Sequence, residues 1–145
     1  MAILFGRRRS REQILSHVGD LLQVAGMRTL ELQDGLEKGV RIADVRTGSG
    51  LRFQVSLDRG TDISMAEYKG IPLAFRSPNG DVHPHRFEPQ GHGWLRGFPG
   101  GLMTGCGMTH VGSPCVDEGE ALGQHGRLAV LPAAAVRRAS RWEGD

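Results

Sequence analysis

The sequence predicts a mainly β protein: an antiparallel β-sandwich preceded by one amphipathic helix. Three observations carry that prediction. Apolar and polar residues alternate along several short runs, as strands with one buried face require. Turn-forming residues punctuate the runs, with 22 glycines and 7 prolines in 145 residues. A helical period occurs once, close to the N-terminus.

The apolar stretch Met1–Phe5 is too short for the core of a signal peptide, and its basic run Arg7-Arg8-Arg9 follows it rather than preceding it. That basic run reads as a solvated lead-in to the helix. Ser10 with Gln13 forms a capping-box pattern ahead of Ile14, Leu15, Val18, Leu21 and Leu22, which share one helical stripe. Gly26 can end the helix in a left-handed turn, so the helix is expected over 10–25, with His17 off the buried stripe.

Beyond Gly26 the period changes to two. Leu30 and Leu32 alternate with Glu31 and Gln33 before the Asp34-Gly35 turn. A second run covers Val40 to Arg46 and stops at Gly48-Ser49-Gly50. The third is the most regular, with Leu51, Phe53, Val55 and Leu57 alternating with Arg52, Gln54, Ser56 and Asp58. A fourth covers Ile63 to Tyr68, closed by Lys69-Gly70, and a fifth Ile71 to Phe75. Residues 77–124 then form a Gly-, Pro- and His-rich tract. Its embedded Trp94, Leu95, Phe98, Leu102 and Met103 favour an ordered, pocket-forming loop over a linker. A last strand is expected over Leu128 to Val136, with Ser140–Asp145 opening a further hairpin. The chain thus reads as a single incomplete domain over 1–145.

Composition narrows the function. A net charge of +2 gives no nucleic-acid footprint, and no run reaches the length of a membrane span. Cys106 and Cys115 match no zinc spacing, and without an export signal they read as reduced thiols in a cytoplasmic protein. Cys106 lacks a local His-and-base arrangement and reads as a small buried residue. No cofactor motif is present: the glycines of 100–107 match neither the dinucleotide nor the phosphate-loop fingerprint.

Several groups could carry chemistry. In Gln124-His125-Gly126-Arg127, an imidazole and a guanidinium sit on a glycine hinge, a pairing suited to hydroxyl or carboxylate groups. In Asp58-Arg59-Gly60-Thr61-Asp62, Arg59 either pairs with a neighbouring carboxylate and presents donors to a ligand, or belongs to a turn whose charges face water. His83, His85 and His92 could ligate a metal, but no Cys or carboxylate falls at a ligand spacing, so loop polarity or sugar contact is preferred and no metal is expected. Trp94 and Arg96, two residues apart, could share one side of an extended segment and suit a polyol ring; Trp94 could equally plug the core of the loop. The glycines from Gly100 to Gly107 bring backbone close either to another strand or to a ligand.

An ordered series of short motifs resembles the aldose 1-epimerase (galactose mutarotase-like) superfamily, and within it a bacterial branch described as a domain of unknown function. The carriers are Val18-Gly19-Asp20, Gln23-Val24-Ala25-Gly26, Asp58-Arg59-Gly60-Thr61-Asp62-Ile63 and Tyr68-Lys69-Gly70-Ile71-Pro72-Leu73. They continue through His83-Pro84, Gly93-Trp94-Leu95-Arg96, Gly100-Gly101-Leu102, Cys106-Gly107 with His110, and His125-Gly126-Arg127 with Pro132-Ala133. The resemblance implies the N-terminal half of a β-supersandwich that binds a sugar across its concave face and interconverts anomers. It places His125 at the family's N-terminal sugar-contacting histidine, with Arg127 beside it. Arg59, Asp62, Trp94, Arg96 and His110 match branch motifs expected to line the same cleft. The family's acid and base, a histidine and a glutamate, belong to the C-terminal half and have no assignable position here. Gln124 stands where the family usually has leucine, and Met108-Thr109 where it has Leu-Asp.

The resemblance therefore implies a small-molecule sugar as partner and, for this length of chain, a truncated reading frame, an isolated domain or a fragment that needs a partner. Alone it is expected to be marginally folded, without mutarotase turnover, and open to self-association through an exposed sheet edge. A non-catalytic sugar-binding module and a small all-β interaction protein are the alternatives.

Overall fold

The computed structural model describes residues 2–4 and 6–139. It is mainly β with antiparallel sheets, as the alternating runs predict. Strands β1 (Ala2–Leu4) and β2 (Arg7–Arg9) form an N-terminal hairpin, followed by α1 (Arg11–Leu15). The central sheet has five strands in sequential order: β3 (Gly26–Glu31), β4 (Arg41–Arg46), β5 (Leu51–Ser56), β6 (Ile63–Tyr68) and β7 (Ile71–Pro72). A second small sheet pairs β8 (Phe75–Arg76) with β9 (Gly100–Gly101) and lies against β6. The last hairpin joins β10 (Cys115–Asp117) to β11 (Glu120–Leu122).

Turn chemistry explains the meander. Lys69 and Gly70 both have positive φ, 51° and 80°, and join β6 to β7 with Tyr68 opposite Ile71. Two left-handed residues in a two-residue loop match the natural twist of a hairpin. The register of β5 against β6 slips between Gln54 and Val55, leaving Ser64 as an extra residue on β6. Such a bulge re-aims the strand end. Beyond it Ile63 stays opposite Val55 and Ser56 N–H donates to Asp62 O at 2.8 Å, while Ile63 also bridges to Met103 in the glycine tract. The buried apolar residues include Val40, Ile42, Leu57, Ala66, Val82, Trp94 and Ala129. They draw on the sheet, the corner after β5, the long tract and the segment beyond the 125–127 turn.

The structure corrects several expectations. The helix expected over 10–25 is one short turn. The capping box at Ser10 and Gln13 forms, but the helix gives way to a 3-10 turn at Leu21–Gln23 that Asp20 caps from its own side chain. Gly19 and that competing cap break the run, so of the apolar stripe only Ile14 is buried. Arg7–Arg9 is a strand and not a lead-in, because Gly6 at φ 75° turns the chain back and pairs it with Ala2–Leu4. The fifth run divides into β7 and β8. The expected strand Leu128–Val136 is a 3-10 turn at Leu128–Val130 and then irregular chain. Its amides are used on the corner after β5 instead: Ala133 N–H donates to Leu57 O at 2.6 Å, and Leu131 O accepts from Gly60 N–H at 2.9 Å. Pro132 has no amide to give a ladder. Ser140–Asp145, expected to open a further hairpin, lies outside the described residues.

Candidate functional site

The site is built where the corner Leu57–Asp62 meets the long tract. Asp58 anchors the corner: its carboxylate accepts from the Arg41 amide at 2.7 Å and from the Arg41 guanidinium at 2.5 Å. Burial alone would raise the Asp58 carboxyl, yet these bonds hold it below the usual carboxylate range. Gly60, at φ 60°, passes so close to Leu128 that a methyl group there would lie 2.6 Å from its carbonyl oxygen.

Arg59 and Asp62 then turn inward, 3% and 0% exposed. Arg59 Nη1 donates to Val82 O at 2.9 Å, and its Nε stands 3.9 Å from Asp62 Oδ2. Asp62 Oδ1 accepts the Gly105 amide at 2.6 Å and so ties the glycine tract to the sheet. Burial lowers the Arg59 guanidinium from its usual value, while Asp62 and Asp81 work against that shift. Burial likewise pushes the Asp62 carboxyl up to about 6, against the Gly105 amide and Arg59. Asp81, also buried, pairs with Arg76 at 3.0 Å. Arg59, Asp62 and Asp81 are withdrawn from water, whereas Arg76 stays partly exposed. Of the two readings of the corner, pairing with a neighbouring carboxylate describes Arg59, and a solvated turn does not.

The segment Gly93–Gly97 is a 3-10 turn whose Gly97 lies beside the Arg59 guanidinium. With three residues per turn, positions two apart diverge. Trp94 is therefore buried while Arg96 points to solvent and holds Glu88 through a pair of guanidinium–carboxylate bonds, one at 2.8 Å. They do not share a side, contrary to the extended segment expected. Because both partners are exposed, Arg96→Ala is expected to leave the melting temperature unchanged within error, as calorimetry would show.

Trp94 stacks on Phe98 with ring centroids 5.1 Å apart and meets the His125 ring edge-on at 4.7 Å. His125 occupies a left-handed turn at φ 58°, with Gly126 at 66°. Its backbone is held on both sides: Gly107 N–H donates to His125 O at 2.7 Å, and His125 N–H donates to Gly112 O at 3.1 Å. Its Nδ1 accepts the Gly112 amide at 3.1 Å. His110 adjoins the same turn through its carbonyl, and its Nε2 donates to Ser113 O at 2.7 Å. Arg127 is exposed and, with Gly126, lines a concavity whose other walls include Phe87, Thr109, Glu120 and Leu122.

The structure thus groups His125, Trp94 and His110 around one turn, puts Arg127 at the neighbouring concavity, sets Arg59 and Asp62 beneath the tract, and leaves Arg96 on the surface. Asp81, Gly112 and Phe87 are not among the candidate site residues of the sequence. The Pro78-Asn79-Gly80 turn just before Asp81 was the available signal for the first, and nothing local marks the other two. Cys106 is exposed and not buried, because the amides of Gly105 and Gly107 on either side are bound inward to Asp62 and His125. Both cysteines are free. His83 caps the turn at Pro84–Arg86, whereas His92 Nδ1 donates to Gln124 Oε1 at 2.6 Å. Among the described residues no three His, Cys, Asp or Glu gather as metal ligands, and no helix is long and apolar enough to cross a membrane.

A family model described as a domain of unknown function (DUF4432) matches residues 37–145. The chain belongs to this family. The matched span contains every candidate site residue named above. A solved structure described as a "putative aldose 1-epimerase" from Klebsiella pneumoniae subsp. pneumoniae is similar to the chain at 27% identity and a TM-score of 0.66. The likeness covers 73% of this chain and 28% of that one, so the chain spans little more than a quarter of that protein's length. No curated protein matches the chain.

Proposed function

We propose that this chain forms part of a carbohydrate site of the aldose 1-epimerase type, with the turn His125-Gly126-Arg127 meeting the sugar. The similarity to the Klebsiella protein, over most of this chain's length, carries the reading. The local chemistry supports it. An imidazole fixed by backbone bonds and an aromatic ring, next to an exposed guanidinium, offers directional donors to hydroxyl and ring oxygens. Phe87 and Leu122 give the adjoining concavity apolar surface against which a sugar ring can lie. Arg59 and Asp62 act as supports, holding the tract that carries Trp94 and Gly105.

Anomer exchange needs a base for the anomeric hydroxyl and an acid for the ring oxygen. In this reading His125 and Arg127 bind and orient the sugar, and the proton-transfer pair belongs to the longer fold. Titration of the 15N-labelled chain with galactose should shift the amides of Gly112, His125, Gly126 and Arg127. His125→Ala should weaken that binding about tenfold, the worth of a hydrogen bond lost from a semi-enclosed site. Binding untouched by the substitution would remove His125 from the site. A spectrum unmoved by galactose or glucose would favour an interaction module without a sugar ligand.

A further inference from the structure

His125 is one of three histidines around the 125–127 turn, and the hydrogen bonds fix a different role for each. His92 Nδ1 faces the amide oxygen of Gln124, which can only accept, so Nδ1 carries the proton. His110 Nε2 faces the carbonyl of Ser113, so its proton is on Nε2 and already used. His125 Nδ1 faces the N–H of Gly112, which can only donate. Its neutral ring must therefore carry the proton on Nε2.

The surroundings hold the ring in this orientation. Gly112 grips His125 at two points, donating to Nδ1 and accepting from the His125 amide, each at 3.1 Å. Trp94 blocks the side of the ring it meets edge-on. Gly112 reaches this position at φ 125°, a conformation side-chain-bearing residues rarely adopt. Among the described residues Nε2 has no hydrogen-bond partner, so its proton is available to a ligand.

From this we infer that Gly112 is a positioning residue that sets His125 as a fixed Nε2–H donor, reading an acceptor oxygen of the ligand. The inference rests on the sugar site proposed above and adds a polarity to it. At that site His125 gives a hydrogen bond to a sugar oxygen and does not take a hydroxyl proton. It therefore selects ligands that present a lone pair at that position.

Two measurements test it. A long-range 1H–15N spectrum of the 15N-labelled wild-type protein should place His125 Nδ1 in the unprotonated range and Nε2 in the protonated range. The reverse pattern, or two averaged nitrogens, would overturn the inference. That spectrum needs no ligand, so a failure to bind sugar would count against the proposed function while leaving the tautomer decided. The second measurement compares two amides in galactose titration. The His125→Gln side chain reaches the Nε2 position with a donor and should bind within about threefold of wild type, whereas His125→Asn reaches only the Nδ1 position and should lose about tenfold. Equal losses, or better binding by His125→Asn, would contradict the donor role.

Discussion

Asp62→Ala is expected to destabilise the fold by about 3–5 kcal/mol in urea unfolding, the cost of stranding one member of a buried ion pair. Arg59 would keep a single hydrogen bond, to Val82 O, and the Gly105 amide would lose its acceptor. A loss below about 1 kcal/mol would show that the pair does not hold the tract. Burial nonetheless opposes the charged form of both members. Replacing both at once, as in Arg59→Met with Asp62→Leu, should therefore cost less than Asp62→Ala alone.

The pH dependence follows with a definite sign. The Asp62 carboxyl stands at about 6 in the folded chain, above the value near 3.8 from which it is shifted. Between those values the folded state holds more protons than the unfolded one, so this group makes stability fall as pH rises from about 4 through about 6, the slope dying away within about one pH unit above that. The gap corresponds to about 3 kcal/mol across the window. Asp81, raised by burial against the pull of Arg76, adds to the slope in the same direction. Asp62→Asn should flatten the wild-type curve over this interval without abolishing it. A wild-type curve that rises from pH 4 to 6 by as much as the variant's would rule out a raised Asp62.

Much of the sheet was legible because alternation is a local signal. The fourth run, Ile63 to Tyr68, is β6 as built, and Lys69-Gly70 supplies the two left-handed residues of its turn. The helix failed on competition between local bonds: Asp20 reaches its own downstream amide at Leu22 and starts a separate turn. Leu128–Val136 failed for a different reason. Its apolar residues signalled burial, but its amides pair with a corner some seventy residues earlier, a partnership no window of sequence contains. The site was half legible. His125 and Trp94 stood out as residue types, and the structure brings their rings together. The clamp from Gly112 depends on a glycine at φ 125° among many glycines, and nothing in the sequence distinguishes it from its neighbours. Arg59 and Arg96 looked alike as guanidiniums beside aromatic or acidic residues; burial alone separates them.

Gly126→Ala should cost the fold about 3 kcal/mol and abolish whatever binding His125 and Arg127 provide, since strain and collision coincide there. The backbone sits at φ 66°, and a methyl group would lie 2.4 Å from Gly107 O and 2.9 Å from His110 O. Both contacts are main chain, so no side chain can rotate aside. Relief requires the turn to move away from Gly107, which would break the Gly107 amide bond to His125 O and draw Nδ1 off the Gly112 amide. Arg127, carried on the same turn, would leave the concavity. His125→Ala provides the contrast, because it removes the ring and its bond from the Gly112 amide without forcing a collision on the turn, so it should lose binding at a smaller cost in stability. Urea unfolding and galactose titration on the two variants together separate a site held by its backbone from one made only of side chains. If Gly126→Ala kept wild-type stability, the close packing of the 107, 110 and 126 backbones would be refuted.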